Sequence, residues 1–97
     1  MQNRVDYAYA KGGMIQLTRY LASFLAPYGV RVNALSPGGY WTKEMPESFV
    51  KNYCRNTPMG RMADDDDIKG PSVFLASDAS RYITGQNIAI DGGWTAV

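Results

Sequence analysis

Tyr7 and Lys11 stand four residues apart near the start of a 97-residue sequence that has no histidine and a single cysteine. On a helix that spacing leaves ~40° of rotation and roughly one turn between them, so both side-chain heads can act on one ligand. The pattern is also short enough to arise without such a role, with Lys11 snorkelling out from the first turns and Tyr7 an ordinary boundary aromatic. Composition narrows the chemistry further. Without histidine there is no Ser-His-Asp or Cys-His machinery and no His-based zinc site, and one cysteine cannot build a Cys-rich cluster. No metal site is expected, and catalysis would rest on Tyr, Lys, Asp, Glu or Ser. The Asp64-Asp65-Asp66-Asp67 run reads as a solvated helix start favoured by the macrodipole, and Cys54 as a passive thiol.

The elements that would position these groups follow from periodicity and punctuation. From about Tyr7 to Ala26 the spacing is helical, with Ala10, Met14, Leu17, Leu21, Phe24 and Leu25 in one arc and Tyr9, Gly12, Gln16, Tyr20 and Ser23 opposite. Asp6 suits the N-cap, and Pro27 and Gly29 are stop signals. Tyr7 falls at the edge of the apolar arc and Lys11 on its shoulder, where a lysine needs a partner or a cavity. Val30 to Leu35 reads as a strand buried on both faces, ending at Pro37-Gly38-Gly39. A loop-like stretch from Gly38 to Met62 contains a short helix near Glu47 to Arg55, with Pro46 at its first position. A longer helix is expected from about Asp65 to Ser77, capped by Asp64 and bent or shortened by Gly70-Pro71. A second strand is expected at about Asn87 to Ile90, closed by Asp91-Gly92-Gly93. Helix, strand, insert, helix, strand is the order of a parallel α/β sheet. Each βαβ unit needs ~30 residues, so the chain holds only the last units of a doubly wound domain.

Five short motifs occur in order: Tyr7-Ala8-Tyr9-Ala10-Lys11-Gly12-Gly13; Arg31-Val32-Asn33-Ala34-Leu35-Ser36-Pro37-Gly38 with Thr42 four residues on; Phe74-Leu75-Ala76-Ser77-Asp78; Ile83-Thr84-Gly85-Gln86; and Asp91-Gly92-Gly93. The ordered set closely resembles the C-terminal half of the short-chain dehydrogenase/reductase family, over essentially the whole chain. That resemblance implies an incomplete Rossmann-type parallel sheet, with residues 1–97 the C-terminal part of a single dinucleotide-binding oxidoreductase domain. It implies hydride transfer between an alcohol or carbonyl substrate, such as a sugar derivative, polyol or oxo-acyl group, and NAD or NADP. Tyr7 would be the general acid/base, and Lys11 would bond the nicotinamide ribose and lower the phenol's pKa. A unit charge at ~4 Å and an effective dielectric of ~20 interacts by ~4 kcal/mol, and ~1.4 kcal/mol is one pKa unit, so the effect is large enough. Tyr9 is the competing phenol, but it lies opposite the core arc. Pro37-Gly38, at the carboxyl end of the strand, would pass close to the nicotinamide, and Thr42 would bond its carboxamide. A simple turn is the other reading of Pro37-Gly38-Gly39. Asn33 reads as structural, and so does Asp91-Gly92-Gly93, either a tight turn or, by resemblance, part of a subunit contact. Between Gly39 and Met62 the family has its variable substrate-covering segment. There Tyr40, Trp41, Met45, Phe49, Tyr53 and Met59 could pack over a substrate, or, as is expected of Phe49, serve as the small helix's own core contact.

The family's catalytic serine, its glycine-rich phosphate loop and the residue that selects NAD over NADP have no counterpart in the sequence, so the chain alone is expected to be inactive. A noncatalytic truncated relative, acting only through association with another chain, is the alternative reading. An exposed strand edge and an apolar helix face point to a homo-oligomer or to a need for the missing N-terminal half. A formal net charge of +1 gives no nucleic-acid footprint, and no apolar run reaches the ~20 residues of a membrane span. The lone cysteine and the absence of a signal-peptide core fit the cytoplasm.

Overall fold

The computed structural model describes residues 5–96, with side chains from Tyr9 to Ala96. The first helix, α1, spans Val5–Leu25. It is already helical at Asp6, so the cap expected there is corrected: a residue inside the helix cannot be its N-cap. The stop signals act as expected. Pro27 lies in a 3₁₀ turn, Ala26–Tyr28, and Gly29 takes the left-handed conformation at φ 74°, its N–H bonding the Ala26 carbonyl.

Strand β1, Ala34–Pro37, pairs in parallel with β2, Asn87–Ile90, in the register Ala34 to Asn87 through Pro37 to Ile90. The second strand lies where the sequence puts it; the first is displaced from the expected Val30 to Leu35. The reason is the neighbour. Val32 donates to the Thr84 hydroxyl at 3.0 Å and accepts from Gly85 N–H at 2.7 Å, so at that level it faces a turn rather than a strand. Ladder pairing starts only where the partner becomes extended. Neither is β1 buried on both faces: Ala34, Leu35 and Ser36 are half-buried and Pro37 is exposed. Among the described residues the sheet has two strands, which leaves the second edge of β1 open.

Two helices cross from β1 to β2. Helix α2 spans Glu47–Asn56, and Pro46 is its N-cap rather than its first helical residue, with ψ 141° and a carbonyl that accepts from Val50 N–H at 3.1 Å. Helix α3 spans Asp65–Ala76 and runs through Pro71, so of the expected bend or shortening the shortening does not occur. Glycine before proline removes the Cβ that would clash with the pyrrolidine ring, so Gly70 keeps the helical region open. The N-terminus of α3 is closed by a reciprocal capping box between Asp64 and Asp67.

Packing on α1 follows the expected arc only at Leu21 and Leu25, which are half-buried. Among the described side chains of the helix the buried ones are Thr18 and Ala22, in helical register with Lys11, Ile15 and Leu25, whereas Met14, Leu17 and Phe24 are exposed. Small side chains let the backbones approach: a Cβ on Gly85 would lie 3.4 Å from that of Ala22. The Thr18 hydroxyl stays satisfied by donating to the Met14 carbonyl at 2.7 Å.

A polar knot fixes the sheet against α3. The Arg31 guanidinium donates to the Leu75, Ser77 and Ile83 carbonyls at 3.0, 3.2 and 3.2 Å and to the buried Ser80 hydroxyl at 3.1 Å. Asn33 clamps the same segment, donating to the Ile83 carbonyl and accepting from Gln86 N–H, both at 3.0 Å. Its structural reading holds.

Candidate active site

Lys11 lines a hollow of about 200 Å³ between α1 and the sheet, together with Met14, Ile15, Ala34, Leu35, Ser36 and Asn87. The lysine is brought there because its helical register is that of the Thr18 and Ala22 seam. Tyr7 stands one turn earlier on α1, but its side chain lies outside the described residues. Tyr9 is 84% exposed.

Pro37 ends β1, and the two glycines after it make close approaches. Gly38 N–H donates to the Ile90 carbonyl at 2.8 Å, and a Cβ on Gly38 would meet Asp91 Cβ at 2.9 Å. A Cβ on Gly39 would collide with the Tyr53 ring, and Gly39 N–H donates to the Tyr53 hydroxyl at 2.6 Å. This turn is therefore held from two sides, by β2 and by α2. Thr42 is exposed on the following loop and lines neither this hollow nor the larger one, and its carbonyl accepts from Met45 N–H at 3.1 Å.

The insert between Gly39 and Met62 is anchored by a parallel bridge, Tyr40 to Ala63, in which Ala63 N–H bonds Gly39 O at 2.8 Å and Trp41 N–H bonds Ala63 O at 3.0 Å. Of its large side chains, Tyr40, Trp41, Phe49 and Met59 are exposed. Phe49 leans on Tyr53 at 6.2 Å between ring centroids but is half exposed, which makes it an edge rather than a core contact. Tyr53 instead stacks on Trp94, centroids 4.7 Å apart. Cys54 is free and half-buried.

Asp91 closes β2 by accepting from Gly93 N–H at 3.0 Å and from the Thr95 hydroxyl and N–H at 2.8 and 3.2 Å. These bonds, that of the Thr95 hydroxyl first, lower its carboxyl pKa. Gly92 and Gly93 have φ of 63° and 94°, so the tight-turn reading is observed. A second hollow, about 300 Å³, lies beside this turn between Tyr53, Met59, Met62 and Ile90. Arg61 and Asp67 line it as a bidentate pair at 2.6 and 2.9 Å, and that hydrogen bonding, with Asp64 N–H as a further donor, holds the Asp67 carboxyl well below the usual carboxylate range. Among the described residues no group of three or more His, Cys, Asp or Glu could hold a metal ion, and no helix is long and apolar enough to cross a membrane.

A family profile described as enoyl-(acyl carrier protein) reductase matches residues 1–95. The chain belongs to the short-chain dehydrogenase/reductase family. It is 45% identical over 96 residues to galactitol 2-dehydrogenase (L-tagatose-forming) of Cereibacter sphaeroides, covering 93% of this chain and 37% of that protein. L-rhamnose 1-dehydrogenase (NAD(P)(+)) of Azotobacter vinelandii is 39% identical over 95 residues, with 93% and 37% covered. A short-chain dehydrogenase of Leptospira borgpetersenii, solved with bound NAD+, superposes with a TM-score of 0.87 at 49% identity, covering 92% of this chain and 35% of that one. The chain spans about a third of the length of the curated relatives it matches. Its two-stranded parallel sheet is accordingly part of a Rossmann-type sheet.

Two residues that the sequence reading left without a structural role prove to hold this region. Arg31 stands in its motif and in the expected strand, and nothing in its spacing points to the carbonyls it meets more than forty residues on. Tyr53 was grouped with aromatics that could cover a substrate, and nothing in its spacing pointed to Gly39 or Trp94.

Proposed function

We propose that the chain is the C-terminal part of an NAD(P)-dependent oxidoreductase that interconverts an alcohol and a carbonyl. When bound, the dinucleotide would supply or accept the hydride at its nicotinamide. Two features suit that end of the cofactor: Lys11 beside a hollow it shares with Ser36 and Asn87, and the Pro37-Gly38 turn at the carboxyl end of a parallel strand, where open α/β sheets hold ligands. Among the described residues no glycine-rich turn precedes a helix N-terminus to take a pyrophosphate. Tyr7 gives a proton to the substrate oxygen or takes one from it, Lys11 favours the phenolate and holds the ribose, and Thr42 bonds the carboxamide.

The observation that carries the reading is that Lys11, itself exposed, lines the hollow against β1 in helical register with the buried Thr18 and Ala22, a register that Tyr9 does not share. The test is a chimera in which the N-terminal part of the Leptospira relative precedes this chain. With polyols and NAD+ or NADP+, turnover is expected, followed by reduced-nicotinamide absorbance. Tyr7→Phe should abolish it while sparing dinucleotide binding, and Lys11→Met should weaken both. Loss of turnover in Tyr9→Phe with Tyr7→Phe active would overturn the assignment, and a folded chimera without turnover would favour a noncatalytic role.

A further inference from the structure

We propose that Tyr53 is a positioning residue that couples the substrate-covering helix to the turn at the nicotinamide end of the site. This rests on the assignment of Pro37-Gly38 made under the proposed function. Contacts with two residues, Gly39 and Trp94, converge on the ring. Its hydroxyl accepts from Gly39 N–H at 2.6 Å, its face stacks on Trp94 with centroids 4.7 Å apart, and its edge occupies the space where a Cβ on Gly39 would sit. Gly39 is thereby restricted to glycine by a side chain fourteen residues away.

The neighbours make the contact consequential. Gly38 is tied to β2 through the Ile90 carbonyl, and Gly39 receives Ala63 N–H on its own carbonyl, so the turn cannot shift without breaking bonds on both sides. Tyr53 is the member of this set that belongs to α2, the helix of the insert that the family uses over substrate. A displacement of α2 on substrate entry would pull on Gly39, and a turn held correctly for the nicotinamide would favour the α2 position that holds it. The Trp94 ring covers one face of the Tyr53 ring, and the Trp94 backbone is tied to the Asp91 turn, whose carbonyl accepts from Trp94 N–H at 3.2 Å.

The chimera tests this with one readout independent of turnover. Tyr53→Phe keeps the ring and its stack and deletes the acceptor. Amide exchange at Gly39 should accelerate roughly tenfold, while Gly38, bonded to Ile90, is unchanged. Dinucleotide KM should rise roughly threefold to tenfold with kcat within about twofold, since the turn is loosened rather than the proton donor removed. Trp94→Leu should reproduce the KM effect, and Trp94→Phe, which keeps an aromatic face, should leave KM near the wild-type value. Gly39→Ala should be strongly destabilising with Tyr53 present and nearly neutral on Tyr53→Ala, a coupling read by a double-mutant cycle, or, if Gly39→Ala alone unfolds, by recovery of a folded double variant. Unchanged Gly39 exchange in Tyr53→Phe, or additive Gly39 and Tyr53 effects, would overturn the latch. Altered exchange in a chimera without turnover would leave the latch standing and remove the oxidoreductase reading.

Discussion

Replacing Arg31 by methionine keeps much of the aliphatic stem and deletes a guanidinium that makes four hydrogen bonds to the segment leading into β2. A hydrogen bond from a charged donor contributes ~1.5–3 kcal/mol, so simple addition would overstate the loss. The acceptors are not all orphaned. The Ser80 hydroxyl lies 3.1 Å from both the Leu75 and the Ser77 carbonyls, and Asn33 still donates to the Ile83 carbonyl. Arg31 is also only half-buried, so water can replace part of what is removed. The expected loss is therefore ~2–4 kcal/mol, below the sum of four and above a surface substitution. Arg31→Lys should recover about half or less, because one ammonium cannot span the two pairs of acceptors that the guanidinium fork reaches. Urea unfolding of the chimera measures both, with a lower midpoint at constant m marking loss of stability alone. A change below ~0.5 kcal/mol in Arg31→Met, or a lysine variant equal to wild type, would refute the knot as the element that fixes β2.

The Asp67 carboxyl, depressed by Arg61, stabilises the fold fully above the unfolded carboxylate's pKa of ~3.9, and this stability is lost as pH falls through the lower folded value. Melting temperatures of wild type and Asp67→Asn should therefore differ at pH 7 and converge toward pH 2; a constant gap would contradict the pairing. Pro71→Ala should stabilise by ~1 kcal/mol or more by restoring a helical N–H, and Gly70→Ala, which meets no atom within 4 Å, should stabilise only in that background; equilibrium unfolding decides. The 97-residue chain by itself should self-associate through the exposed Met14, Leu17 and Phe24 face, and sedimentation should show Leu17→Glu with Phe24→Glu shifting it toward monomer; a compact wild-type monomer with a sharp melt would refute this.

Local chemistry was readable without coordinates wherever a signal acts over a few residues. Gly29 ends the first helix because left-handed backbone needs glycine, Asp64 caps α3, and Asn87 to Ile90 is extended between turn residues. The ordered motifs likewise carried the family membership, since they are strings rather than contacts. Where the deciding partner is distant in the chain, the sequence was silent or misleading. The extent of β1 depends on where Gly85 gives way to β2, some fifty residues later, and not on the apolar run that begins at Val30. The wheel of α1 identified an apolar arc, but hydrophobicity does not say which face meets the sheet. Thr18 and Ala22 do, because small side chains permit close backbone approach, and that rotation turns Lys11 toward β1. Tyr53 lies against Gly39 and Trp94 only because α2 folds back over the end of the sheet, a contact made by shape that no spacing along the chain encodes.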